Sequence, residues 1–146
     1  MRGAARLPLP VSRAAKRASA ERVTAVRRCV RVDQLNAALP GLAADLIVCT
    51  DADSVLGPNV IREFVRSFES DAGVGVVGAK VMPRTNLLLE ARYWEDQNII
   101  RLLESAVHSS SIVIGPCYAF RRGLIEAYPP DCGADDVYIS FLANLR

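Results

Sequence analysis

The chain carries one histidine, few aromatics (6% of 146 residues) and no two cysteines spaced to share a metal. Its four cysteines, Cys29, Cys49, Cys117 and Cys132, form no C-x-x-C pair, so a zinc-type ligand set is not expected. No apolar run approaches the roughly 20 residues that a membrane-spanning helix needs. The longest, around residues 46–49 and 112–120, have the length of strands. Glycine and proline, at nine and eight residues, are near average, which excludes collagen-like and low-complexity chains. A uniform excess of positive charge is missing too. The formal net charge is +2, and it is split: residues 1–31 hold nine Arg and Lys against Glu21, while residues 32–146 hold nine against fifteen acids. That balance argues against a nucleic-acid partner. It describes a mildly acidic body behind a short basic leader.

The leader is rich in Arg and Ala and contains no apolar h-region, so a secretory signal is not supported. Residues 1–31 are read as a disordered or non-native start. A transit peptide or a contact with an anionic surface are the alternatives that the composition allows. Cysteine usage in the body fits a reducing compartment, because Cys49 and Cys117 lie in apolar runs where a buried thiol is the simplest reading.

The body, 51% hydrophobic over the whole chain, alternates strand and helix patterns. Residues 33–39 read as a short helix stopped by Pro40 and Gly41. Residues 45–50 (DLIVCT) form a buried-strand pattern. Gly57-Pro58 then opens a helix whose apolar face is Val60, Ile61, Phe64, Val65 and Phe68. A second strand is expected over 74–82. A long helix follows over 87–108, with Asn86 as its N-cap and Ile99, Leu103, Ala106 and Val107 on one stripe. A third strand region spans 111–120, and a short helix spans 121–128. Asp135 caps a last helix bearing Val137, Tyr138, Phe141, Leu142 and Leu145 on one face. This alternation predicts an α/β fold with a mostly parallel sheet flanked by helices.

In open α/β sheets ligands bind beyond the carboxyl ends of the strands. Asp51 and Asp53 stand at that end of the strand over 45–50. Two carboxylates one residue apart, pinned by a strand, suit a hard divalent cation that completes its shell with water and phosphates. A solvated turn capping the next helix through Ser54 is the plain alternative. A second acidic pair, Asp135-Asp136, opens the last helix. There the helix dipole stabilises acids with no function required, and the same dipole would keep Asp136 ionised, as a general base must be.

Four blocks in order, D-Q-L-N-A-A-L from Asp33, DLIVCTDADS, GPCYAFRRG and GADDVYISFLANLR, resemble the family 2 glycosyltransferases of GT-A fold, in particular their cellulose synthase-like branch. The resemblance covers about residues 32–146 and implies a Rossmann-like nucleotide-diphospho-sugar transferase that inverts the sugar it moves. It implies that Asp51 and Asp53 hold Mg²⁺ or Mn²⁺ and the donor diphosphate. Asp136 is then the base that deprotonates an acceptor hydroxyl, and Asp135 the first acid of that catalytic pair. Asn36 lies near the donor, and Gly115, Cys117 and Tyr118 line the acceptor cleft. The implied partners are a nucleotide-diphospho-sugar and a saccharide, lipid or other hydroxyl acceptor. The implied setting is cytoplasmic, in full-length relatives at the membrane face.

Some family features are missing from the printed sequence. No Y-N-E-like segment precedes residue 32, no Q-x-x-R-W block follows the last helix, and Arg31 stands where a lysine is usual. The expectation is therefore a partial catalytic domain over 32–146, with membrane association only through segments it lacks and with weak or no activity alone. A second resemblance, of residues 46–56 to the first motif of haloacid-dehalogenase-like phosphatases, offers a Mg²⁺-dependent phosphatase as the alternative. A non-catalytic fragment of a transferase gene is the other.

Overall fold

The computed structural model describes residues 32–146 and the two-residue strand Val26–Arg27; the rest of the expected basic leader, with Cys29, lies outside the described residues. The elements in chain order are β1 (Val26–Arg27), α1 (Val32–Ala38), β2 (Leu46–Thr50), α2 (Val60–Ser70), β3 (Val76–Gly78), α3 (Leu88–Val107), β4 (Cys117–Arg121) and α4 (Asp135–Asn144). Single 3₁₀ turns follow α1, at Leu39–Gly41, and β4, at Arg122–Leu124.

The four strands form one sheet in the order β1-β2-β4-β3. β1 runs parallel to β2, with Val26 opposite Cys49. β4 is antiparallel to both neighbours, pairing Thr50 with Cys117 on one side and Val77 with Ala119 on the other. The expected mostly parallel sheet is thus corrected. β1, β2 and β3 share one direction, but the last strand is inserted between β2 and β3 in the opposite sense. Antiparallel pairing of this kind needs no crossover geometry, so strand direction is not fixed by an alternating β/α pattern.

Alternation along the strands builds a core on each face of the sheet. Ile47, Cys49, Tyr118 and Phe120 point to one face, where Leu35, Leu39, Leu124, Tyr128 and Ile139 close over them. Cys117 and Ala119 point to the other, where Phe64 and Phe68 of α2 cover them with Leu46, Val48, Val60 and Ile61. α2 buries the apolar face expected of it. Arg121 locks its far end: Nε donates to the Val74 carbonyl at 2.8 Å, Nη2 to the Phe68 carbonyl at 2.9 Å, and the guanidinium lies 5.2 Å from the Phe68 ring centroid.

Several expectations shorten or turn over. The strand over 74–82 contracts to Val76–Gly78. At Gly78 a Cβ would come within 3.2 Å of Val113, closer than an ordinary contact, so a side chain there would press on Val113. The region 111–120 pairs only from Cys117, and 121–128 holds one 3₁₀ turn rather than a helix. α3 forms at its expected place but faces the other way. Its one buried residue is Asn98, whereas Ile99, Leu103 and Val107 are exposed, as are Leu88 and Leu89. Asn98 donates to the Val81 carbonyl at 2.8 Å and accepts from the Val81 N–H at 3.2 Å, pairing with the extended chain as a neighbouring strand would. Asn86 is not the cap; Leu87 holds that position, and its N–H donates to Thr85 Oγ1. In α4 the cap is Ala134. Ile139 and Ser140 are the buried residues, while Phe141 and Leu145 face outward.

Candidate functional site

β2 ends at Thr50, and the chain turns at once. The Asp51 N–H donates to the Pro116 carbonyl at 3.1 Å, Thr50 Oγ1 donates to the same carbonyl at 3.2 Å, and the Ser54 N–H closes the turn on the Asp51 carbonyl at 3.1 Å. Asp51 is half-buried and Asp53 exposed. These bonds seat the D-x-D turn on Gly115-Pro116-Cys117, some 65 residues away in sequence, because Thr50 pairs with Cys117 in the β2–β4 ladder. Two blocks singled out separately in the sequence therefore meet at one end of the sheet.

The second acidic pair comes to the same end through β4. Tyr118, next to Cys117, turns to the opposite face, and its hydroxyl donates to Asp135 Oδ2 at 2.6 Å. Asp136 follows in the first turn of α4. Its Oδ1 accepts from the Val137 N–H at 2.9 Å, and its carbonyl accepts from Ser140 Oγ at 2.6 Å. Ser140 is buried and also accepts from the Val113 N–H at 2.9 Å, which ties α4 to the strand side of the fold.

The acceptor-lining expectation is narrowed by burial. Gly115 is half-buried, but Tyr118 is wholly buried and Cys117 is 5% exposed, so those two side chains pack inside the fold. Burial raises the Cys117 thiol above its ordinary value. The hydrogen bond with Thr50 opposes that shift, and the charge of Asp51 adds to it. A protonated thiol in this position is packing material. Tyr118 is pushed far above the usual phenol range, first by burial and then by neighbours that include Asp135.

Asn36, expected near the donor, is bonded to the backbone of Tyr128. Its Nδ2 donates to the Tyr128 carbonyl at 2.8 Å, and its Oδ1 accepts from the Tyr128 N–H at 2.7 Å. The amide clamps α1 onto the segment that leads into Asp135. Sequence reasoning missed Thr50, Ser140 and the Tyr118–Asp135 contact. Strand alternation was the signal for the last: it puts Tyr118 on the face that α4 covers.

Among the described residues no group of three or more His, Cys, Asp or Glu converges as a metal cage. The cation-binding candidates are the two carboxylates of the Asp51–Asp53 turn. That set fits a hard cation whose remaining ligands come from water and a phosphate-bearing partner, as Mg²⁺-type sites usually do. A cleft of about 880 Å³ lies elsewhere, along β3, and includes Lys80, Arg101 and His108 but none of the acids above.

Comparison with known proteins converges on one family. A family model described as glycosyltransferase like family 2 matches residues 7–144, a span that takes in most of the basic segment. Hyaluronan synthase 3 of Mus musculus and of Homo sapiens are each 30% identical to the chain over 97 residues, covering 62% of the chain. The chain spans only 18% of the length of these relatives. Among solved structures, the mannosyltransferase PcManGT from Pyrobaculum calidifontis, in complex with GDP-Man and Mn²⁺, superposes with a TM-score of 0.61 at 29% identity. That match covers 77% of this chain and 30% of the other.

Proposed function

Because the chain belongs to glycosyltransferase family 2 and has an α/β fold of the GT-A type, we propose that it carries the donor and base elements of an inverting transferase. In this reading the chain moves a sugar from a nucleotide diphosphate to an acceptor hydroxyl. The observation that carries the reading is the meeting of the Asp51–Asp53 turn, Gly115 and the Asp135–Asp136 pair at one end of the sheet.

Asp51 and Asp53 would hold a divalent cation, Mn²⁺ by likeness to the mannosyltransferase complex or Mg²⁺, which when bound supplies charge neutralisation at the departing diphosphate. The chain's own groups do the rest. The turn fixed by Pro116 positions the donor diphosphate. The carboxylate of Asp136 takes the acceptor proton as the acceptor oxygen bonds to the anomeric carbon. The bond from that carbon to the diphosphate oxygen breaks, and the electron pair leaves with the diphosphate. A single displacement inverts the centre. Among the described residues no protein hydrogen bond beyond that of Val137 engages the Asp136 carboxylate, which leaves room for an acceptor hydroxyl. The acceptor would be a saccharide, lipid or other hydroxyl compound, with Gly115 on its side of the site. A cytoplasmic setting, a membrane association supplied by other segments and a place in the cellulose synthase-like branch belong to the same proposal. Among the described residues no helix is long and apolar enough to cross a membrane.

The phosphatase alternative has no support. Asp135 opens α4 after an irregular segment instead of following a strand.

Release of nucleoside diphosphate from GDP-mannose or a UDP-sugar, measured with Mn²⁺ and a panel of sugar acceptors, tests the reading. Asp136→Asn should lower turnover by about 10²–10⁴-fold, the usual contribution of a positioned general base, while donor binding stays. Full turnover in Asp136→Asn would remove Asp136 from the role.

A further inference from the structure

Tyr118 is the one wholly buried tyrosine of β4, and its hydroxyl is spent on an acid at the mouth of the site. We propose that Tyr118 is a positioning residue for the acidic pair: its hydroxyl, carried on the central strand, fixes the Asp135 carboxylate and thereby the first turn of α4 that presents Asp136. This inference rests on the reading of Asp136 as the base.

The geometry is that of a charge-assisted bond. An O–H···O distance of 2.6 Å falls in the range for a hydroxyl donating to a carboxylate. The donor stands on a rigid reference. β4 is laddered to β2 on one side and β3 on the other, and the Tyr118 ring stacks on Phe120 at 6.2 Å between centroids. Burial and the neighbouring carboxylate both keep the phenol protonated, so it stays a donor across the range in which the protein is folded.

The acceptor needs such a hold. Ala134 at the N-cap offers no side-chain cap, so the first turn of α4 is not secured in the usual way. Asp135 before it is held by Tyr118. Ser140 after it accepts from the Val113 N–H and donates to the Asp136 carbonyl. Asp136 thus sits between two anchors that reach it from the sheet side of the fold. An acid that merely complemented the helix dipole would be solvated and would need no buried partner.

The test compares the chain with Tyr118→Phe, Asp135→Asn and Asp136→Asn. Three quantities are read: turnover with the donors above, donor affinity in the presence of Mn²⁺, and backbone hydrogen exchange. Tyr118→Phe keeps the ring and its packing. It should bind donor as the unaltered chain does, exchange faster over residues 135–140 and not over β2 or α2, and lose between about tenfold and a hundredfold in kcat with KM unchanged, as expected for a displaced reacting group. Asp135→Asn retains an oxygen that can accept the phenol's hydrogen bond and should fall between Tyr118→Phe and the unaltered chain. Unchanged exchange over 135–140 in Tyr118→Phe overturns the proposal. So does exchange that rises across the whole sheet while donor binding falls, because that marks a hydroxyl serving only the core. Should Asp136→Asn keep full turnover, the base reading fails by itself, and the exchange result still judges the hold of Tyr118 on α4.

Discussion

At Glu104 three donors converge on one carboxylate: the Ser111 N–H at 3.0 Å, Ser111 Oγ at 2.9 Å and Ser110 Oγ at 3.2 Å. These bonds, that of the Ser111 backbone foremost, hold its pKa below the ordinary glutamate value. A carboxyl lowered on folding stabilises the folded state above its unfolded pKa, and the gain is lost as pH falls through the folded value. Glu104→Gln should therefore unfold at lower urea than the unaltered chain at about pH 7, and the gap should close on acidification toward about pH 3. A gap that does not change with pH would show the bonds to be inert. Asn36→Ala belongs to the same scale. It strips both partners from Tyr128, and the two half-buried groups left behind should cost about 1–3 kcal/mol in denaturant unfolding. Residue type and spacing located Asp51, Asp53, Asp135 and Asp136 correctly at the ends of their elements. They did not reveal that Asn36 clamps Tyr128, because its partner lies 92 positions away.

α3 is the element whose place was legible and whose facing was not. Its span matched the periodic pattern, but that pattern names an apolar stripe without saying what covers it. Here the polar face turns inward, held by the paired bonds between Asn98 and Val81. Asn98→Ala should therefore destabilise the fold by about 1–3 kcal/mol, since two backbone groups of the extended chain lose their partner. Leu89→Glu and Leu103→Glu, at residues 84% and 62% exposed, should change stability by no more than about 0.5 kcal/mol. Thermal unfolding of the three variants side by side checks the orientation: large losses from the leucine variants, with none from Asn98→Ala, would mean that the helix packs by its apolar stripe. β4 taught a similar lesson. Its apolar run marked a strand, yet direction depends on where the chain re-enters the sheet, which local pattern does not record.

For the whole molecule, the sheet carries one apolar layer on each face, and the Asp51–Asp53 turn sits on Pro116 beside the start of β4. Order and spacing of four short blocks were enough to indicate this family and this end of the sheet. The joining bonds, Asp51 to Pro116 and Tyr118 to Asp135, depend on strand register and so appeared only in three dimensions. At this scale the proposal is that the Asp51–Asp53 turn is a cation-dependent donor site. Titration calorimetry of GDP-mannose and of a UDP-sugar into the chain, with and without Mn²⁺ and repeated on Asp51→Ala, decides between the outcomes. At least one donor should bind only with Mn²⁺ present, and Asp51→Ala should abolish that binding. Donor binding that ignores both the cation and the substitution, or no binding of either donor under any condition, would contradict it.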